Sequence, residues 1–323
     1  MTVQSNSDTL VTVFGGSGFL GRHVVRALAR RDFRIRAAVR RPDLAGHLQP
    51  LGRVGQIHAV QANVRYPGSV EAAVQDASVV INLVGVLFER GRQSFEAVQA
   101  QGAAVVAQAS EVVGARLIHV SAIGADPDSP SLYARSKAAG EAGVREAQPD
   151  AIIFRPSIVF GPEDDFFNRF AALARMSPVL PLIGGGATRF QPVYVGDVAE
   201  AIARAAEDKL RRATTYELGG PEVRTFKELM QYVLAVTERR RLLVPLPFGL
   251  ARLQAYVLQL MPKPMLTPDQ VELLRQDNVV SPLAKAEGRT FDGIGIKPVA
   301  MEAVVPSYLW RFRKTGQFKS SAA

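Results

Sequence analysis

Residues 11–28 read VTVFGGSGFLGRHVVRAL. An apolar, β-branched run passes directly into Gly15, Gly18 and Gly21, spaced GxxGxxG, and then into a helical pattern. Each glycine has its own physical task. Gly15 permits a tight turn. Gly18, flanked by Ser17 and Phe19 in the same candidate turn, lets backbone N–H groups approach a pyrophosphate. Gly21 lets the helix lie close to the sheet, with its N-terminus facing the anion. Glycines alone are a weak signal. Strand, glycines and helix in register at the head of an alternating series are a strong one for dinucleotide binding.

That alternation continues outward. FRIRAAVR, VVINLVG, RLIHVSAIG and AIIFRPSIVFG are strand-like, and helical stretches separate them, among them FEAVQAQGAAVVAQASEVVG and the segment around Tyr133. Such βαβ units imply an α/β fold: a Rossmann-type, doubly wound parallel sheet. Beyond about residue 161 the pattern loosens, and Pro and Gly cluster in PVLPLIGGGATRFQP, VPLPFG and MPKPM. These are loop signals. The expected organisation is a dinucleotide-binding domain over 10–160, then 161–315 as mixed segments returning to the sheet plus a smaller, partly helical C-terminal domain. Disordered ends are expected at 1–9 and 316–323.

The polar, Arg-free start MTVQSNSDTL reads as neither a secretory signal nor a mitochondrial transit sequence. No apolar run reaches the ~18 residues that span a bilayer. A soluble or peripherally bound chain is expected.

Composition removes several chemistries. The 323 residues include no cysteine, which excludes disulfides and thiolate nucleophiles. The four histidines lack metal-ligand spacing, and His119 sits in the strand-like RLIHVSA. Glu163, Asp164 and Asp165 precede the apolar helix FFNRFAAL, where carboxylates favour the positive helix end; no metal site is expected. Asp197 in YVGDVAEAI reads as another helix-start residue. The net charge of +9 is compatible with an anionic partner. Its arginines are dispersed, with no aromatic–basic interleaving, so nucleic acid is not expected.

The second strand separates the cofactors. About 20 residues past the glycines an NAD site usually places Asp or Glu on the ribose hydroxyls. Here the strand ends Val39-Arg40-Arg41, with no carboxylate before Asp43. A planar guanidinium suits a 2′-phosphate, which favours NADP(H) over NAD(H). Arg22 adds to the same field.

Further along, SLYARSKAAGE (131–141) places Tyr133 and Lys137 four residues apart, on one helix face. A nearby ammonium and an oxidised nicotinamide lower a phenol's pKa and make it a usable acid/base. Lysine also serves by gripping the nicotinamide ribose, so the pair alone does not establish turnover.

GGSGFLG, ANVRYPGSV, INLVG, HVSAIGAD, YARSKAAGE, FRPSIVFGPED and PVYVGDVAEAI together resemble the extended and atypical short-chain dehydrogenase/reductases over roughly residues 10–235. That resemblance implies Asn63 and Val64 near the adenine, Asn82 and Gly85 beside the cofactor, and Arg155, Pro156 and Ser157 bordering the nicotinamide. It gives Tyr133 and Lys137 the YxxxK roles. The expected hydroxyl after the fifth strand is Ser121, though the position can equally fall on Ala122 or Ile123, and Ser121 also reads as a strand-end hydrogen-bond donor. INLVGVLFE, RPSIVFGPEDDFFNRFA and LTPDQVELLRQDNVVS further resemble the NAD(P)H-binding accessory subunit family of respiratory complex I (NADH:ubiquinone oxidoreductase). This implies a cofactor holder contacting complex I subunits and the membrane surface, on the cytoplasmic face of the inner membrane or the equivalent matrix face.

In LARLQAYVLQLMP, Leu250, Leu253, Val257 and Leu260 fall at helical spacing. They form either a surface for a membrane or partner subunit, or the inner face of the second domain. Thr267-Pro268-Asp269-Gln270 reads as N-cap, N1 proline and capping-box glutamine. Two functional classes fit: a noncatalytic cofactor-holding subunit, and an NADP-dependent reductase or epimerase acting on a carbonyl or hydroxyl, for example in quinone biosynthesis.

Overall fold

The computed structural model describes residues 6–262 and 264–316, and the chain forms two compact units. The first gathers the chain up to Pro156, then Val195–Leu218 and Pro282–Ile296. The second gathers Ser157–Tyr194, Gly219–Ser281 and the chain from Lys297. Order begins before Leu10: Asn6–Asp8 is a 3-10 turn, closed by Thr9 N–H on the Asn6 carbonyl and tied down by Asn6 Nδ2 donating to the Arg31 carbonyl. The rest of the two expected disordered ends, 1–5 and 317–323, lies outside the described residues.

Seven parallel strands form the sheet of the first unit. They are β1 (Leu10–Phe14), β2 (Arg34–Val39), β3 (Ile57–Gln61), β4 (Val79–Asn82), β5 (Arg116–Val120), β6 (Ile152–Pro156) and a late strand, Thr215–Leu218. The order runs from Thr215–Leu218 through β6, β5, β4, β1 and β2 to β3. The winding reverses between β1 and β4, and ligands of open α/β sheets bind beyond the strand ends at such a reversal. Val11, Val13, Val80 and Ile81 are fully buried, as a sheet covered on both faces requires.

Helices α1 (Phe19–Ala29), α2 (Pro67–Val74), α3 (Gln101–Val112) and α4 (Leu132–Ala147) follow their strands. Val70, Val106 and Val144, from α2, α3 and α4, share one core with Phe14, Val80, Leu117 and Ile153 of the sheet. On α1's side, Arg31 grips Glu200 at 2.7 Å and Glu207 at 3.1 Å, joining α1 to the helix Val195–Ala206. Pro282–Ile296 lies along the outermost strand. Glu217 N–H donates to the Arg289 carbonyl, and Arg289 Nη1 donates to the Thr215 carbonyl.

The second unit has an aromatic core. Phe160, Phe167, Phe190 and Phe226 are buried and meet neighbouring rings largely edge-on. Asp164 does what its place ahead of a helix implies: Oδ1 accepts from Asn168 N–H at 3.1 Å, at the start of Phe167–Met176. Its Oδ2 accepts from the Tyr308 hydroxyl at 2.5 Å, and burial raises its pKa. The capping box forms, with Gln270 N–H on Thr267 Oγ1 and Thr267 N–H on Gln270 Oε1. The helix Phe248–Leu258 buries Ala251 and Ala255, packs Phe248 against them, and leaves Leu253 65% exposed and Val257 67%. Among the described residues no helix is long and apolar enough to cross a membrane.

Candidate dinucleotide site

The turn after β1 has the predicted geometry. Gly15 lies in the left-handed region at φ 79°, and its N–H donates to the Ala38 carbonyl of β2. Gly18 is the N-cap of α1 and has no side chain to occupy the first-turn N–H groups; no acidic residue stands in that turn. A β-carbon on Gly21 would meet the Gly15 carbonyl oxygen at 2.2 Å, so the helix sits directly on the turn. Ser17 and Phe19 flank this open helix end, and Phe19 meets His23 edge-on. A glycine-walled helix N-terminus at the winding reversal fits a pyrophosphate.

At the end of β2, Arg40 is exposed, and its Nη1 donates to Gln93 Oε1. Arg41 forms a bidentate pair with Asp43 at 2.7 and 3.0 Å. The hairpin Arg90–Gln93 that receives Arg40 also receives Arg65, whose Nη1 donates to the Arg92 carbonyl. Asn63 shapes the loop after β3 by accepting Arg65 N–H on Oδ1, while Val64 is a core residue pressed against Gly102. Asn82, buried at the end of β4, likewise accepts Val84 N–H and fixes the loop that leads to Gly85.

The other end of the site is built on α4. Ser131 caps this helix by accepting Ala134 N–H. Lys137 is buried, and its Nζ lies 3.3 Å from the Val120 carbonyl and 6.0 Å from the Tyr133 ring centre. A β-carbon on Gly85 would stand 3.3 Å from that Nζ, so the ammonium lies under the glycine loop. Burial pulls the Lys137 pKa down to about 8, against the opposing pull of Glu141. Tyr133 is half-buried, edge-on to Phe95.

His119 is buried in β5, and neither ring nitrogen has a hydrogen-bond partner among the described residues. Burial, and secondarily the Lys137 charge, lowers its pKa to about 3, so it stays neutral and packs as a strand residue. Ser121 is buried at the end of β5 with no partner for Oγ among the described residues. Pro156 ends β6 and accepts Ile123 N–H. Arg155 is committed to Glu141 by two bonds of 2.7 and 2.8 Å, and Ser157, in the second unit, donates to the Asn278 carbonyl.

The sequence reading missed Gln99. It is buried in a π-helical turn, Glu96–Ala100, that leads into α3. Its Oε1 accepts Val86 N–H and its Nε2 donates to Ser136 Oγ, which itself donates to the Tyr133 carbonyl. Gln99 thus ties the Gly85 loop to α4, and π-turns recur at functional sites. A glutamine on an otherwise small and apolar helix face was the available signal. Among the described residues no group of three His, Asp or Glu side chains is placed to hold a metal.

The glycine turn, the Gly85 loop and the Tyr133–Lys137 face lie along one end of the sheet, and together they fit a nicotinamide dinucleotide. A NAD dependent epimerase/dehydratase family model matches residues 11–219. NADH dehydrogenase [ubiquinone] 1 alpha subcomplex subunit 9, mitochondrial, of Arabidopsis thaliana is 36% identical, covering 97% of this chain and 80% of that protein. Ceramide reductase of Caulobacter vibrioides is 37% identical over 59% of this chain and 58% of its own length. Among solved structures, the NADPH-dependent quinone oxidoreductase QOR2 of Escherichia coli, complexed with NADPH, superposes with a TM-score of 0.73 at 19% identity, covering 93% of this chain and 99% of that one. The chain belongs to the NAD dependent epimerase/dehydratase family and, within it, to the family of the mitochondrial NADH dehydrogenase [ubiquinone] 1 alpha subcomplex subunit 9.

Proposed function

We infer that this protein is an accessory subunit of respiratory complex I that holds NADP(H) in preference to NAD(H). The observation that carries the subunit role is the extent of the likeness to the 1 alpha subcomplex subunit 9. It runs through 97% of the chain and so includes the C-terminal region beyond residue 219, where the general family match stops. The cofactor preference rests on Arg40, whose exposed guanidinium ends β2 where an NAD site would present a carboxylate. Gly15, Gly18 and Gly21 would hold the pyrophosphate, Asn63 the adenine end, and Lys137 the nicotinamide ribose. Attachment comes through contacts with partner subunits and the membrane surface, on the cytoplasmic or matrix-equivalent face.

Native purification tests both halves at once. Solubilised in mild detergent at moderate salt, the protein should comigrate with complex I, and denaturation in organic solvent at neutral pH should release NADP(H) rather than NAD(H). Recovery only as a separate protein beside intact complex I would overturn the subunit role. Release of NAD(H) would overturn the Arg40 argument.

A second reading has its own observation in Ser121, a buried hydroxyl left without a partner among the described residues, next in the chain to Val120, whose carbonyl meets Lys137 Nζ. In a reductase, bound NADPH supplies the hydride. Ser121 would then hold the substrate oxygen, and the Tyr133 phenol would give it a proton. Rapid NADPH oxidation with a carbonyl substrate, abolished by Tyr133→Phe, would favour this reading over the first.

A further inference from the structure

A second concave basic site lies in the first unit. Arg145, Arg211, Arg212 and Arg289 line a shallow depression of about 620 Å³, with Thr214 and Thr215 between them. It is remote from the dinucleotide turn. Thr215 begins its strand, whereas Gly15 follows the end of β1, so in a parallel sheet the two occupy opposite edges. They are also four strands apart. At ~4.8 Å per strand and ~3.3 Å per residue the separation is roughly 25 Å.

The four arginines are not equally neutralised. Arg212 is clamped by Asp208 at 2.8 Å and reaches Asp150 at 3.4 Å, and Arg289 pairs with Glu287. Among the described residues, Arg145 and Arg211 have no ion-pair partner. Arg145 Nη2 donates to Thr215 Oγ1, and Arg211 Nε donates to Thr214 Oγ1. Each of those two keeps further guanidinium N–H groups for a ligand. The loop presenting Arg211 is fixed. Ala213 stands at φ 55°, a conformation rare for a residue with a β-carbon, and its N–H is anchored on the Asp150 carbonyl.

We propose that this depression is a binding site for a phosphate-bearing anion, with Arg145 and Arg211 as its forks. Guanidinium pairs match phosphoryl oxygens in geometry and charge, and the threonine hydroxyls already orient them. The phosphoryl group can belong to a small soluble compound or to a lipid headgroup.

The test uses the full chain with NADPH in excess, so that the glycine turn is filled. Calorimetric titration with inorganic pyrophosphate should show binding that weakens about tenfold in Arg211→Gln and about a hundredfold in Arg145→Gln/Arg211→Gln. That outcome supports a soluble phosphate ligand. If pyrophosphate fails to bind, flotation with phosphatidylcholine vesicles containing phosphatidylglycerol, lost in the same variants and absent with phosphatidylcholine alone, supports a lipid headgroup. Arg211→Gln alone guards against misfolding, because its side chain is exposed and anchors no carboxylate; retained NADPH confirms the fold. If neither pyrophosphate nor anionic vesicles depend on the two arginines, the site is not an anion site.

Discussion

Lys137 shows how burial sets the chemistry of one residue. Its folded pKa of about 8 lies below the ordinary 10.5. The stability associated with its neutral form is fully present above 10.5 and is lost as pH falls through 8. Below 8 the fold therefore carries a buried ammonium at a cost on the order of a few kcal/mol. A ligand that accepts hydrogen bonds from that ammonium recovers part of the cost. NADPH affinity should accordingly fall by up to about tenfold as pH rises through 8, because the positive charge that strengthens the donor is lost. Fluorescence titrations across this range, on wild type and Lys137→Met, check it. A flat wild-type profile would remove Lys137 from the ribose. Neutral His119 makes the arrangement tolerable, since a second cation in the same apolar strand end would repel the first.

At the scale of elements, the decisive contact is α4 against the π-helical turn and α3. A β-carbon on Gly140 would meet the Gln99 carbonyl oxygen at 2.2 Å, and one on Gly143 would meet the Ala104 side chain at 2.8 Å. This close approach sets the distance between Gln99 and Ser136, and through it the Tyr133 backbone. Gly140→Ala should destabilise the protein by about 1–3 kcal/mol, read by denaturant unfolding, and should weaken NADPH binding as well. Unchanged stability would mean that the helices separate freely. The sequence made the elements legible because their signals are local: the glycine turn, the strand runs, the i, i+4 spacing of Tyr133 and Lys137, the capping box at Thr267. It did not reveal Gln99, whose partners are 13 and 37 residues away. Nor did it reveal that Gln93 receives Arg40 across 53 residues, because that pairing depends on which loops meet.

At the scale of the whole molecule, the apolar surface of Phe248–Leu258 stands out. Its spacing was legible in the sequence, but its direction was not. Small Ala251 and Ala255 take the inner positions, and Leu250, Leu253 and Val257 are left outside, with Leu260 just past the helix end. Contiguous exposed apolar side chains mark interaction surfaces. Leu253→Glu/Val257→Glu should release the protein from the membrane fraction by an order of magnitude or more while leaving NADPH binding intact. An attachment made by these side chains would be apolar, so moderate salt alone should not mimic the variant. Retention of the double variant on membranes would assign attachment elsewhere.

The late strand Thr215–Leu218 and its cover Pro282–Ile296 also bear on how the chain is made. A ribosome releases β6 before its partner strand Thr215–Leu218, and that strand before its cover Pro282–Ile296, so the nascent sheet presents a naked, ladder-ready border while the intervening chain is made. The first unit is not a contiguous gene segment, and a fragment ending at Pro156 would keep that border permanently. Chaperone engagement during translation, concentrated on the β6 margin, follows from the order in which the strands are delivered.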